Sequence, residues 1–413
     1  MTELSRDYFH DLDVRDPLAA FRDEFYLPED MIYLDGNSLG AMPRAAAPRA
    51  RDVVEREWGR DLITSWNKNG WFHLAERLGD KIARLIGADA GEVMACDATG
   101  LNLYKVLAMA LELRPERKVI VMEGSNFPTD NYMAQGLVRQ LGGRHDIRFA
   151  ENEEILDAIT DEVAVVSLTQ VHYKTGRLLD MKAITEKAHQ AGALVIWDLC
   201  HSAGALPVDL NGCGADFAVG CGYKYLNGGP GAPAFIYVAK RHQGLAAQPL
   251  TGWWGHAAPF AFERDYWPAD TVWQMLTGTQ PILSLSVLEC GVDLMNRADM
   301  TQLRQKSIRL GDYFIQLVEQ QCAGLGFRLA SPRRGDARGS QVSFSHDKGY
   351  AVMQALIADK VVGDFRAPDI VRFGFAPLYV RYVDVWDAVM RLKNIMEKNL
   401  WRKPQYSQVT AVT

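Results

Sequence analysis

Cys221-Gly222-Tyr223-Lys224-Tyr225-Leu226-Asn227-Gly228-Gly229-Pro230-Gly231 sets a lysine just past an apolar run and follows it with a glycine-rich turn. A lysine amine becomes a useful nucleophile at neutral pH when burial or neighbouring positive charge depresses its pKa. Lys224 has a tyrosine on each side and small residues around it, so the stretch reads as a place where the amine holds an aldehyde as a Schiff base. A surface lysine beside a loop is the plain alternative, since most lysines are exposed.

Upstream, Ala193-Leu194-Val195-Ile196-Trp197-Asp198-Leu199-Cys200-His201-Ser202-Ala203-Gly204 is an apolar strand that ends in a carboxylate, with a histidine after it. Strand ends are where α/β proteins put their chemistry. An aspartate at such an end pairs with the protonated ring nitrogen of pyridoxal 5'-phosphate, the contact that makes the ring an electron sink. A helix N-cap is the other role open to Asp198. Glu92-Val93-Met94-Ala95-Cys96-Asp97-Ala98-Thr99-Gly100 feeds a helical repeat over 101–113. The free N–H groups and dipole of that helix start make a phosphate seat, to which the Thr99 hydroxyl adds a donor.

Strands over 119–123, 163–171, 194–197, 217–221 and 234–238 alternate with helices such as 181–192, which predicts a mostly parallel sheet covered on both faces. A helical pattern over 44–87, broken near Asn67-Lys68-Asn69-Gly70, comes before them. Long helices from Ile282 to Met295 and on through Val318 lead into an α+β pattern, with strands at 341–345 and 371–375 and helices at 350–358 and 383–399. The expected division is an N-terminal segment, 1–45, packing on the small domain, a large domain, 46–285, and a small C-terminal domain, 286–413. Residues 1–30 are expected to hold a helix ahead of a strand at 31–34, and the last dozen residues to fray.

With 413 residues, 48% of them apolar, the chain is able to bury a full core in two domains. A net charge of only −6 without a basic run argues against nucleic acid or an anionic membrane as partner. The polar, acidic start Met1-Thr2-Glu3-Leu4-Ser5-Arg6-Asp7 is unlike a signal peptide. Apolar stretches such as 163–168 fall far short of the roughly 20 residues of a membrane helix, and a cytoplasmic protein is expected. The 6 cysteines are scattered without a CxxC pair and read as reduced, mostly buried thiols with no metal site.

The chain resembles the kynureninase family, pyridoxal-phosphate enzymes of fold-type I (aspartate aminotransferase-like) related to class V aminotransferases and cysteine desulfurases. The resemblance runs from Ile32 to about Asp387. It is carried by Tyr33-Leu34-Asp35-Gly36-Asn37-Ser38-Leu39-Gly40, Ser65-Trp66-Asn67, Asn126-Phe127-Pro128-Thr129-Asp130, Tyr173-Lys174-Thr175-Gly176, Tyr223-Lys224-Tyr225-Leu226-Asn227, Gly252-Trp253-Trp254-Gly255-His256 and Arg372-Phe373-Gly374. It implies a fold-type I large domain with a mostly parallel sheet and a smaller α+β C-terminal domain. By resemblance the cofactor phosphate sits at Ala98 and Thr99, and Phe127 stacks on one face of the ring. Pro128, Thr129 and Asp130 of the same loop, Thr169, Asp198, His201, Tyr223 and Lys224 complete the cofactor set of this chain. Trp253 and Thr279 resemble the pair that the neighbouring subunit of a homodimer contributes, so that one chain cannot complete a site.

For the substrate, the resemblance implies Arg372 as the clamp on an α-carboxylate. A guanidinium inside an apolar strand needs a bidentate partner, and a structural ion pair is the other way to supply one. Ser38 and Asn37 reach the substrate end, Trp66 lies near the aryl ring, and His256 belongs to substrate binding. The implied reaction is hydrolysis of L-kynurenine to anthranilate and L-alanine. Lys224 acts as base, Asp198 keeps the ring nitrogen protonated, and Tyr223, its pKa depressed by nearby positive charge, protonates the β-carbon. His201 supports the ring hydroxyl or Asp198. Gly278, Thr279 and Trp66 match the form that prefers the unhydroxylated substrate.

Three other readings share the fold. A cysteine desulfurase or selenocysteine lyase needs a reactive cysteine on a mobile loop, and neither Cys322 nor Cys200 sits in such a motif. An aminotransferase would release a keto acid. A non-catalytic binding module would be free to lose Lys224, Asp198 or Arg372, and all three are present.

Overall fold

The computed structural model describes residues 4–408. Met1-Thr2-Glu3 and the final part of the segment expected to fray, 409–413, lie outside the described residues. The central sheet is built from β1 (Val93–Ala95), β2 (Val119–Glu123), β3 (Asp146–Ala150), β4 (Val163–Thr169), β5 (Leu194–Asp198), β6 (Phe217–Gly220) and β7 (Phe235–Val238). Their order is β1-β7-β6-β5-β4-β2-β3. β3, β2, β4, β5 and β6 are parallel neighbours, while β7 runs antiparallel to both β6 and β1. Every residue of β4 and β5 is buried, as their continuous apolar runs predict for strands covered on two faces. The expected mostly parallel sheet is therefore present. β3 was not foreseen: its sequence Asp-Ile-Arg-Phe-Ala alternates charge with bulk because it is a half-exposed edge.

The longer helices are α1 (Arg6–Val14), α2 (Leu74–Ala83), α3 (Thr99–Glu112), α4 (Pro128–Gln140), α5 (Met181–Gln190), α6 (Ile282–Arg297), α7 (Met300–Gln321), α8 (Gly349–Ala358) and α9 (Tyr382–Glu397). α4 opens earlier than the loop reading placed it. Pro128 takes its first position, where the missing N–H has no partner to lose, and Asp130 falls in its first turn. A second, antiparallel sheet comprises β8 (Arg328–Leu329), β9 (Gln341–Ser345), β10 (Asp364–Arg366) and β11 (Ile370–Gly374), in the order β8-β9-β11-β10.

The N-terminal segment crosses to this second sheet. Ile32–Tyr33 pairs in parallel with Val361–Val362, and Gly374 N–H donates to the Leu34 carbonyl at 2.7 Å. α1 packs on α9, with Arg6 paired to Asp387 at 2.8 Å. The Asp13 carboxylate accepts from the backbone N–H groups of Tyr382 at 2.6 Å and Val383 at 3.0 Å. It thus satisfies two of the donors that the start of α9 would otherwise leave unpaired. Asp13→Ala is expected to cost about 1 kcal/mol of stability, read as a lower thermal unfolding midpoint. An unchanged midpoint would count against this cap.

Candidate active site

β5 and β6 run side by side with Asp198 opposite Val219, so the segments carrying Asp198, His201 and Lys224 leave the sheet at the same edge. Lys224 Nζ lies 3.0 Å from His201 Nε2 and 5.7 Å from the centre of the Tyr223 ring. A cavity of about 350 Å3 opens over them. Ala98, Thr99, Phe127, Thr129, Asp130 and Thr169 line its other walls, while Pro128 starts the helix beneath. From the side of the N-terminal segment, Gly40 N–H donates to the Tyr223 carbonyl at 2.8 Å. A Cβ on Gly40 would stand 2.3 Å from the Lys224 carbonyl oxygen and 2.5 Å from Asn227 Oδ1, so the two backbones meet this closely only at glycine.

Three buried acceptors surround one hydroxyl. Thr169 Oγ1 is 2.8 Å from Asn126 Oδ1, 3.0 Å from Asp198 Oδ2 and 3.4 Å from Asp130 Oδ2. A threonine has a single proton to give, and it falls to Asp198, because Asn126 Oδ1 accepts from the Phe127 N–H at 2.7 Å and Asp130 Oδ2 from Asn126 Nδ2 at 2.9 Å. Burial, with Asp198 beside it, pushes the Asp130 carboxyl well above its ordinary range. Asp198 Oδ1 accepts from the Cys200 N–H at 2.8 Å, which fixes the carboxylate at the strand end. Nothing local in the sequence marks Asn126 for this cluster, because it joins it through Thr169, far along the chain.

The electrostatics correct two expectations. Burial disfavours the Lys224 ammonium, but the surrounding Cys221, Cys200, Tyr223 and Asp198 more than offset it, and the pKa is raised rather than depressed. Burial likewise outweighs the positive charge of Lys224 at Tyr223, whose pKa is pushed up to about 12 instead of falling. His201 moves the other way: burial and Lys224 hold it well below its usual range. The neutral imidazole therefore faces the amine through Nε2, and its buried Nδ1 has no partner.

Arg372 is fully buried in β11 directly across from Asp364 of β10. Its Nε donates to Asp364 Oδ1 at 2.7 Å, its Nη2 to Asp364 Oδ2 and, at 2.9 Å, to Ser38 Oγ, and its Nη1 to the Tyr173 carbonyl. The buried Asn37 amide faces the same edge, 3.0 Å from Nε when turned to accept. The bidentate partner sought for this guanidinium is thus present inside the chain. One N–H on Nη1 is left over. Arg366 adds a second cation to Asp364 at 2.6 Å. Asp364 was not singled out in the sequence, where nothing separates it from 50 other acidic residues. Burial and the neighbouring Asp364 lift Asp35 to about 7.

Arg372, Ser38 and Asn37 do not line the Lys224 cavity; Tyr173, whose carbonyl accepts from Arg372, does, and the remaining candidates also lie away from the cavity within one chain. Trp66 packs edge-on against Trp71 at 5.7 Å and tilted against Trp254 at 5.2 Å. Trp253 and His256 line a separate surface pocket, and Thr279 is exposed.

Comparison with known proteins adds three findings. The family model described as "Kynureninase C-terminal domain" matches residues 303–392. The kynureninase of Burkholderia pseudomallei (strain 1106a) is 54% identical over 407 residues, covering 97% of this chain and 98% of the relative; that of Pseudomonas fluorescens is 52% identical over the same shares. Among solved structures, the apo cysteine desulfurase of Thermococcus onnurineus NA1 superposes with a TM-score of 0.78 at 18% identity, covering 92% of this chain and 98% of that one. At that identity the desulfurase likeness speaks for the fold, a fold-type I architecture, and the desulfurase reading of the function is not favoured. With more than half of its residues identical to a relative along nearly its whole length, the chain belongs to the kynureninase family.

Proposed function

We propose that this chain is a pyridoxal-phosphate enzyme that hydrolyses the Cβ–Cγ bond of L-kynurenine to give anthranilate and L-alanine. The observation that carries this is Lys224 enclosed in one cavity with Asp198 and the start of α3. The residues fit such a cofactor by what they leave unfilled. Ala98 caps α3 without a side-chain bond, so the first-turn N–H groups and the Thr99 hydroxyl remain for a phosphate. The orphaned His201 Nδ1 calls for an acceptor. When bound, the cofactor supplies an aldehyde to Lys224 and a ring that accepts electrons released at the substrate's α-carbon.

Asp198 would hold a proton at the ring nitrogen, with Thr169 and Asp130 completing that wall. Phe127, 45% exposed at the mouth, provides the stacking face, with Pro128 and Thr129 setting its backbone. With the cofactor bound, Lys224 would take the α-proton. The neutral His201 Nε2 at 3.0 Å accepts a hydrogen bond from the amine and orients it. Water adds to the γ-carbonyl, and the β-carbon freed by cleavage is protonated by Tyr223. A phenol with a pKa of about 12 keeps its proton through the physiological range, which suits a donor. Arg372 offers its remaining Nη1–H to the α-carboxylate, beside Ser38 and Asn37.

Trp66, Trp253, His256 and Thr279 serve a site completed between two copies of the chain. The exposure of Trp253, Phe260, Phe262 and Trp267 supports a homodimer joined there. Residues 46–285 are read as the large cofactor-binding domain and 286–413 as the small C-terminal domain. Among the described residues no helix is long and apolar enough to cross a membrane, in keeping with a cytoplasmic enzyme.

Purified protein with cofactor and L-kynurenine is expected to yield anthranilate and alanine in equal amounts, and no sulfide from L-cysteine. Sulfide without anthranilate would overturn the assignment. Lys224→Ala is expected to abolish turnover and the absorbance of covalently held cofactor, whereas Tyr223→Phe keeps the absorbance and lowers kcat by about 100-fold; normal kcat in Tyr223→Phe would remove its role. The third test concerns pH. Below about 7 Asp35 is neutral, and Arg372 and Arg366 against Asp364 leave this cluster with one net positive charge. Above it Asp35 ionises and cancels that charge. KM for kynurenine should therefore rise as pH passes upward through 7, and Asp35→Asn should flatten the rise. A KM that falls over that range would contradict the charge assignment.

A further inference from the structure

Two thiols stand in the cavity wall without a part in the chemistry above. Cys200 and Cys221 both line it, one half-buried and the other buried. Their closeness is set by the sheet. Asp198 lies opposite Val219, the last pair of the two strands, and Leu199 N–H donates to the Val219 carbonyl at 2.8 Å, so Cys200 and Cys221, each two residues beyond that pair, leave the sheet on adjacent chains. Paired strands are about 4.8 Å apart, so the two segments start out close to the roughly 4.4–6.8 Å Cα separation that a disulfide spans. Cys221 Sγ sits 3.7 Å from the Cys200 carbonyl, and Thr99 Oγ1 sits 3.7 Å from Cys200 Sγ. We propose that Cys200 and Cys221 form a dithiol modification site, oxidised to a disulfide by a hydroperoxide when the cofactor is not in place.

The polarity of the pair favours this. Burial disfavours a Cys221 thiolate, but the hydrogen bond from Cys200 and the charge of Lys224 outweigh it and lower its pKa. Cys200, hydrogen-bonded to Cys221 and buried beside Asp198, keeps its proton. Cys221 is thus the attacking sulfur. It displaces the peroxide's leaving oxygen, becoming a sulfenic acid as the O–O bond breaks and one alcohol or water departs. Cys200 Sγ then attacks that sulfur, the S–S bond forms, the S–O bond breaks, and water leaves with the second proton. The peroxide gains the two electrons that the sulfurs lose. The other four cysteines are less apt. Burial pushes Cys96 and Cys322 up to about 12 and raises Cys213 and Cys290.

Closing the S–S bond draws the segment after Asp198 toward the one before Lys224 and takes Cys200 away from Thr99. Cofactor loading should suffer for that reason. Protection by the cofactor rests on the reading given under Proposed function; formation of the disulfide does not.

The test is a thiol count and peptide map of the full chain, with and without pyridoxal phosphate, after hydrogen peroxide. In the cofactor-free protein the count is expected to fall from 6 to 4, with a dithiothreitol-reversible cystine joining the Cys200 and Cys221 peptides. Cofactor should slow the loss about tenfold, and Cys200→Ser and Cys221→Ser, checked for folding by circular dichroism, should each abolish it. Six persistent thiols, a different pairing, or irreversible sulfinic acids would overturn the proposal. Equal rates with and without cofactor would overturn the placement of the pair in the cofactor's cavity. Because the readout is covalent state, failure of kynurenine hydrolysis would leave it intact.

Discussion

The parallel register that sets Asp198 opposite Val219 is the constraint on which the site depends. Two strands that end together deliver an acid, an imidazole and an amine to one edge of the sheet without any long-range side-chain contact having to find them. β5 is buried along its whole length, so its register cannot slip by one residue without turning each side chain to the opposite face. A shift of that kind would take Asp198 out of the cavity and put Trp197 in its place. The core fixes the chemistry because it fixes the register.

Pairing of buried polar groups shapes the rest. Around Thr169 three buried acceptors converge, and a hydroxyl, a side-chain amide and a backbone N–H meet them. Around Arg372 the cation arrives already paired, because a buried guanidinium with no anion would be strongly destabilising. A ligand entering either cluster meets groups that are already oriented. That favours rapid, specific binding over any large rearrangement of side chains.

Much of this was legible in the sequence because it lay in contiguous patterns. The buried strands announced themselves as apolar runs, the helix start at Thr99 as a turn ahead of a helical repeat, and Lys224 as a cation among small residues before a glycine-rich turn. Edge strands such as β3 and β10 were not legible, because they are short and charged residues break their apolar runs. Asp364 and Asn126 were missed for a different reason. Each matters through a partner brought near by folding, and nothing local marks them. The pKa directions of Lys224 and Tyr223 were misjudged because the sequence shows neighbours in the chain, whereas the shifts come from neighbours in space and from burial.

The turn at Asp35 to Gly40 has a mechanical meaning. At one end the chain is zipped to the second sheet, where Ile32–Tyr33 runs beside Val361–Val362 and Leu34 accepts from Gly374. At the other end Gly40 presses its backbone on the carbonyls of Tyr223 and Lys224 with no side chain between to cushion it. Those few residues work as a push-rod: any rocking of the second sheet against the first is delivered to the lysine loop as a displacement of its main chain. The position of the second sheet and the attitude of the amine are in that sense tied through one short stretch of main chain.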